Sequence, residues 1–246
     1  MLHKTMTVLG LFSPTRREVG VVEVAELLGK PKSTISRWLS DMEDAGFLDR
    51  DPDNGRYRLS LRLAALGELA RHSTSLQRTA RPHLEWLTEE TGETSNLTVL
   101  IGMEAINVDV IDSPRPIMHV GWVGRRLPCH ASASGKVLLA WASPDTLAGV
   151  LGRGLERLTP ETIVDASAFN AELVRVRARG YATAWAELEP DLAAVGAPVR
   201  DHRGAVVAAL AIGAPVSRIP RDQLEACAAP VRRAADAVSA QMGWRK

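Results

Sequence analysis

The 246-residue chain is 46% hydrophobic and 24% charged, which is enough apolar material for one large or two modest packed domains and excludes a disordered composition. No run of about 18 apolar residues occurs, which argues against a membrane span, and the start Met1-Leu2-His3-Lys4-Thr5 lacks the pattern of a secretory leader. The net charge of +1 does not announce a nucleic-acid binder, and Cys129 and Cys227 have neither disulfide nor metal spacing, so the expected setting is a reducing cytoplasm without membrane association.

Leu2, Met6 and Leu9 keep helical spacing, and Ser13-Pro14-Thr15-Arg16-Arg17 breaks that helix. A second short helix is predicted from Val21 to Leu28, stopped by Gly29-Lys30-Pro31. A third begins at Lys32-Ser33, carries Ile35, Leu39 and Met42 on one face, and closes at Ala45-Gly46. Phe47–Arg50 and Arg56–Leu59 flank Asp51-Pro52-Asp53-Asn54-Gly55, a strong hairpin signal. Alternation puts Tyr57 and Leu59 on one face of it and Arg56 and Arg58 on the other. Leu61, Leu66 and Leu69 suggest a connecting helix to Leu76, and Ala80, Leu84 and Leu87 an inward face on a helix over Gln77–Thr91. The expected domains are thus 1–60, a linker at 61–76, and 77–246.

The remainder alternates strands and helices. Strands are expected at Asn96–Ile101, Ala105–Ile111, Ile117–Val123, Tyr181–Trp185, Ala193–Val199 and Val206–Ile212. Helices are expected near Ser134–Trp141, over Ala168–Arg179 and from Arg221 to Gln241. Gly124–Ala131 reads as a loop and Asp201-His202-Arg203-Gly204 as a turn. Consecutive strands joined by turns imply an antiparallel sheet with helices on its faces, an α+β arrangement.

Two short helices joined by a tight glycine turn form a known DNA-reading unit. Ala25 supplies the small residue at the packing point, Gly29 tolerates the turn, and Ile35 anchors the second helix, with Val24, Leu28 and Trp38 inward. The outward residues Lys32, Ser33, Thr34, Ser36, Arg37 and Ser40 are hydroxyls and cations suited to phosphates and base edges in a major groove. Arg56 and Arg58 can reach a flanking phosphate or minor groove. The first sixty residues hold nine basic and nine acidic side chains, 9 − 9 = 0, so DNA binding requires a polarised surface.

Gly124-Arg125-Arg126-Leu127-Pro128-Cys129-His130-Ala131-Ser132-Ala133-Ser134-Gly135-Lys136-Val137-Leu138-Leu139-Ala140 closely resembles the hallmark of the isocitrate lyase regulator (IclR) family. Arg179-Gly180-Tyr181, Glu187-Leu188-Glu189 and Ala197-Pro198-Val199-Arg200-Asp201 fit the same family, as do Lys32–Leu39 and Arg56–Leu59, in the same order. The resemblance implies an N-terminal winged helix-turn-helix and a GAF-like sensor domain. It further implies a homodimer or homotetramer on double-stranded operator DNA, often a repressor, that senses a small carboxylate or aromatic acid without a cofactor. Carried over by alignment, the effector site comprises Met118, Leu127, Ala133, Ser134, Ala184, Leu192, Ala194, Ala211 and Gly213. Among these, Ala184, Ala194, Ala211 and Gly213 are small and apolar, which implies a mostly apolar ligand with at most one acidic group, held by Ser132, Ser134 and backbone amides. Cys129 is expected as a small buried hydrophobe, His130 as ligand contact or structural histidine, and Glu187 as a solvated or capping carboxylate.

Enzymatic readings fail on pattern. Gly135-Lys136 is followed by Val137, where a nucleotide-binding loop needs Ser or Thr. Ala133 stands at the serine position of the Ser-x-x-Lys motif, and no nucleophile elbow surrounds Ser132 or Ser134. The six histidines lack metal-ligand spacing. The alternative to a regulator is a ligand-binding or enzymatic domain fused to a non-functional helix-turn-helix.

Overall fold

The computed structural model describes residues 2–13, 15–66 and 75–245. The chain divides into two compact units, Met1–Thr74 and Ser75–Lys246.

In the first unit, α1 (Leu2–Leu9), α2 (Val21–Leu28) and α3 (Lys32–Asp44) precede a three-stranded antiparallel sheet, β1 (Glu18–Val19), β3 (Tyr57–Leu59) and β2 (Leu48–Arg50), in the order β1-β3-β2. Gly29 has a φ of 59°, a left-handed conformation that lets the Lys30 amide close back on the Ala25 carbonyl at 3.0 Å. The turn therefore depends on a residue without a Cβ. Val24, Ala25, Ile35, Leu39 and Met42 are buried with Val8, Val19, Leu48 and Tyr57 in one core. Glu18–Val19 pairs with Tyr57 and Arg58 and was too short for periodicity to reveal. Leu59, expected to share the buried face of Tyr57, is 43% exposed, because β1 begins at Glu18, opposite Arg58, and does not reach Leu59. Residues 61–66 are helical, with Leu61 and Leu66 exposed; Leu69 lies outside the described residues.

In the second unit, β4 (Thr94–Ile101), β5 (Glu104–Ile111), β6 (Arg126–Leu127), β7 (Ala182–Trp185), β8 (Leu192–Arg200) and β9 (Val206–Pro215) form one antiparallel sheet in the order β6-β5-β4-β9-β8-β7. Helices α4 (Ser75–Thr91) and α8 (Ala228–Gln241) cover one face through Leu84, Leu87, Val231 and Val238, against Val195, Leu210 and Ile212. Helices α5 (Ala133–Ala140), α6 (Pro144–Gly152) and α7 (Ala166–Arg179) sit with the other face, through Val137, Leu139, Val150, Phe169 and Leu173. The alternation of strand side chains places Ala194, Gly196, Ala211 and Gly213 on the α5 face, opposite in parity to the Val195 and Ile212 that face α8.

Ile117–Val123 is not a strand. Its apolar residues Ile117, Val120 and Val123 are all more than half exposed, so no core face holds an extended register. Its carbonyls go to side chains instead: His119 accepts from Thr94 Oγ1 at 2.7 Å and Ile117 from Arg218 at 2.6 Å. The sheet edge is taken by β6, inside the segment expected as a loop. The last helix begins at Ala228 after a short 3-10 turn, Leu224–Cys227, rather than at Arg221. Helix α6 was not anticipated, although Ser143 caps it and Pro144 opens it. Leu76, expected in the linker, stands in α4 and packs on the core of the second unit.

Gly135 is fixed by packing. A Cβ there would stand 2.4 Å from the Cys129 backbone, which cannot swing aside as a side-chain tip can. Alanine normally exceeds glycine by about 1 kcal/mol in a helix. Gly135→Ala is nevertheless expected to cost about 1–3 kcal/mol through overpacking, read as a lower denaturation midpoint. A midpoint equal to the parent's would refute the steric argument.

Candidate functional site

On α3, Ile35, Leu39 and Met42 turn into the core, so Lys32, Ser33, Ser36, Arg37 and Ser40 are exposed and Thr34 is half-buried. Lys32, Arg37 and Arg58 make no ion pair among the described residues. Arg56 differs: its guanidinium donates to Glu23 at 2.6 Å and to the Glu18 carbonyl at 3.0 Å. It ties β3 to β1 and α2 and does not project freely. Between β2 and β3, Asp51 Oδ1 accepts from the amides of Asp53 and Asn54 at 2.9 and 3.2 Å, and Gly55 takes a φ of 68°.

The second unit contains a cavity where α5 meets its sheet. Leu127, Ala133, Ser134, Ala184, Leu192, Ala194, Ala211 and Gly213 come together around it. Met118 is not part of its lining. The enclosed space is about 30 Å³, room for one or two waters as it stands. Cross-strand pairing explains the gathering. Ala184 faces Ala194, which faces Gly213, which faces Thr94, and one row along Gly196 faces Ala211, which faces Asn96. Small side chains in neighbouring registers leave space. Gly196 also lets α5 come close, because a Cβ there would lie 3.3 Å from the backbone of Ala133 and Ser134.

The helix start supplies donors. Ser132 caps α5 by accepting from the Gly135 amide at 3.2 Å, and the Lys136 amide reaches the Ser132 carbonyl at 2.9 Å. The amides of Ala133 and Ser134 meet no acceptor among the described residues, as the first N–H groups of a helix do unless a ligand or solvent meets them.

Asn96, Asn107 and His119 also line the cavity, so it is more polar than the carried-over residues suggested. Thr94-Ser95-Asn96-Leu97-Thr98, a polar run inside a buried strand, was the signal available in the sequence. Thr98 Oγ1 lies 2.8 Å from Asn107 Oδ1 and 3.1 Å from Asn96 Oδ1. His119 packs over Gly213, where a Cβ would stand 2.7 Å from its ring. Burial, reinforced by the adjacent Arg125 cation, holds the His119 imidazole below its ordinary value. Arg125 is itself paired with Glu189 and stacks on Trp122 at 4.9 Å.

Behind the cavity, the fully buried Lys136 ammonium meets the Glu187 carboxylate at 2.6 Å and donates to the Thr183 carbonyl at 3.0 Å. Glu187 is therefore a buried partner of Lys136, not a solvated or capping carboxylate: the β7–β8 connection turns it inward. Burial raises its carboxyl above the ordinary value, against the pull of Lys136. His130 bonds the Glu156 carbonyl at 2.8 Å and lies outside the cavity lining. Burial pushes the Cys129 thiol up to about 11, which keeps it a protonated hydrophobe.

Both halves of the chain match one family. Residues 1–52 match the IclR helix-turn-helix domain and residues 69–240 the bacterial transcriptional regulator IclR C-terminal domain. The chain belongs to the IclR family. It is 31% identical over 244 residues to the HTH-type transcriptional regulator XynR of Escherichia coli, covering 99% of this chain and 97% of that protein. It is 34% identical over 229 residues to the E. coli regulator KdgR, covering 93% and 87%. An IclR homolog from Microbacterium hydrocarbonoxydans, solved in complex with 4-hydroxybenzoate, superimposes with a TM-score of 0.81 at 29% identity over 98% of both chains. This IclR protein is accordingly a DNA-binding transcriptional regulator with an N-terminal helix-turn-helix domain and a C-terminal α/β effector domain, and not an enzyme. Among its described residues no helix is long and apolar enough to cross a membrane.

The buried ion pair gives a stability test. Removing one member of such a pair leaves the other buried and uncompensated, at about 3–5 kcal/mol. Lys136→Met is expected to lose stability on that scale in thermal denaturation, and Lys136→Met with Glu187→Leu to recover most of it. A double variant no more stable than the single one would show that the loss came from packing and not from charge.

Proposed function

We propose that the protein is a homodimeric repressor that reads operator DNA with α3 and the wing, and that a small organic acid in the α5 cavity changes its operator affinity. The exposed face of α3, which carries Lys32 and Arg37 free of ion pairs among the described residues, supports this reading most directly. Lys32, Ser33, Thr34, Ser36, Arg37 and Ser40 are assigned to the DNA. On the wing, Arg58 is assigned to a backbone phosphate, while Arg56 is engaged by Glu23. One recognition helix reads only a few base pairs, so two copies on a two-fold site give the required affinity. The exposed Leu61 and Leu66 supply apolar surface for pairing. In the cavity, the free amides at the start of α5 suit a carboxylate, and Leu127 and Leu192 with the small strand residues suit its carbon body.

Arg37→Ala is expected to weaken specific binding by about 1–3 kcal/mol if the side chain pairs with a base. Lys32→Ala is expected to lower the log–log salt slope by about 0.9 for one lost phosphate contact. Unchanged affinity and slope in both variants, measured by gel shift on DNA upstream of the gene, would overturn the assignment of α3. Sedimentation is expected to show a dimer at micromolar concentration, and a monomer with and without operator would remove that part of the proposal. Ala211→Phe is expected to abolish the effector's thermal stabilisation, about 2.7 kcal/mol at a hundred times its Kd, while leaving operator binding intact. A normal effector response in that variant would place the ligand elsewhere.

A further inference from the structure

We propose that the α5 cavity selects a hydroxylated ligand, with Asn96 and Asn107 as the residues that read its hydroxyl. This rests on the reading of the cavity as the effector site.

Asn96 and Asn107 are only 7% and 2% exposed, and buried carboxamides ordinarily find partners within the protein. Thr98 has one hydroxyl proton, and Asn107 Oδ1 at 2.8 Å is nearer to it than Asn96 Oδ1 at 3.1 Å. The Asn96 oxygen is then left with Ser134 Oγ at 3.5 Å, a long contact. Neither side-chain nitrogen meets an acceptor among the described residues. Nor is either sealed inside protein without a partner; each opens onto the cavity that both residues line.

Asn96 thus offers a donor and an under-used acceptor side by side, and Asn107 adds a second donor. A hydroxyl is the complementary group, because it donates and accepts at one atom. A carboxylate placed there would face the Asn96 oxygen, and an alkyl or aryl edge would leave both amides unpaired in a desolvated site. The described lining holds no carboxylate, ammonium or guanidinium, and Arg125, which touches His119, is spent on Glu189. Recognition at this wall is therefore by neutral hydrogen bonds. A site built to bond a hydroxyl discriminates strongly against the analogue that lacks it.

The test uses the full-length protein and probe pairs that differ in hydroxylation: lactate with propionate, 4-hydroxybenzoate with benzoate, and gluconate with hexanoate. Affinities come from thermal shift and calorimetry. In at least one pair the hydroxylated member is expected to bind at least about tenfold tighter. Asn107→Asp keeps an oxygen toward Thr98 but replaces the cavity-facing N–H, and Asn96→Ala removes the donor–acceptor pair. Each is expected to bring the ratio to within about threefold. Should either variant fail to fold, the ratio in the unaltered protein and in the other variant still decides. Equal binding within every pair, abolished by Ala211→Phe, would overturn the hydroxyl assignment and leave the cavity as the effector site. Binding that survives Ala211→Phe would overturn the cavity reading and this proposal together. Failure of every hydroxylated probe to bind at millimolar concentration would also overturn the proposal.

Discussion

Helix α5 is eight residues long and buried along its whole length, and its close seat on the sheet is the constraint on which the sensor domain depends. Two glycines permit the approach. Gly135 lies against the Cys129 backbone, and Gly196 lies under the first turn. A helix so enclosed cannot leave its ends to water. Ser132 caps the start, and Arg177 donates to the Ala140 carbonyl at 2.7 Å at the end, where a cation also suits the helix dipole. The one charged side chain on the helix, Lys136, is neutralised by Glu187 inside the protein. What remains unsatisfied is the pair of first-turn amides beside the cavity, so burial of the helix and readiness for a ligand come from the same geometry.

The β7–β8 connection concentrates the consequences. Ala186 holds a φ of 53°, a left-handed conformation that costs a residue with a Cβ about 1–3 kcal/mol. Thr159 Oγ1 donates to its carbonyl at 2.6 Å, and its own amide reaches the Leu192 carbonyl at 2.8 Å. Thr162 Oγ1 donates to the Glu187 carbonyl at 2.7 Å. The bend lets three consecutive residues serve three places: Glu187 meets Lys136, Leu188 lines the cavity, and Glu189 meets Arg125. The local strain is offset by contacts on every side of the loop.

Much of this was legible in the sequence where a local rule sets the outcome. The Ala25–Gly29–Ile35 spacing and the Asp51–Gly55 turn follow from φ and packing demands within a few residues. The strands β4, β5, β8 and β9 follow from alternation and apolar runs. The misses share a tertiary cause. Ile117–Val123 has the composition of a strand, but side chains from Thr94 and Arg218 take its carbonyls and no core meets its apolar residues. Glu187 looks solvated until the inward turn of its loop is known. Small residues at Ala184, Ala194, Ala211 and Gly213 could be read as space, but the polar wall of Asn96 and Asn107 comes from β4 and β5. Its position depends on the β4–β9 register and on the bulge between Leu97 and Thr98.

Charge in the first unit shows why a net sum misleads. Nine basic and nine acidic residues cancel over the first sixty positions, yet three of the acids are engaged locally. Glu23 meets Arg16 at 3.3 Å and Arg56 at 2.6 Å, Glu18 accepts from Asn54, and Asp51 holds its own turn. Asp41, Glu43 and Asp44 fall toward the far end of α3 from Lys32. Lys32, Arg37 and Arg58, which make no ion pair among the described residues, lie on the exposed face of α3 and the wing. Counterion release counts the phosphates that such groups neutralise and not the formal charge of the domain. A domain of zero net charge can for that reason bind DNA with a steep salt dependence, provided its cations stand on the face that meets the phosphates and its carboxylates stand away from it.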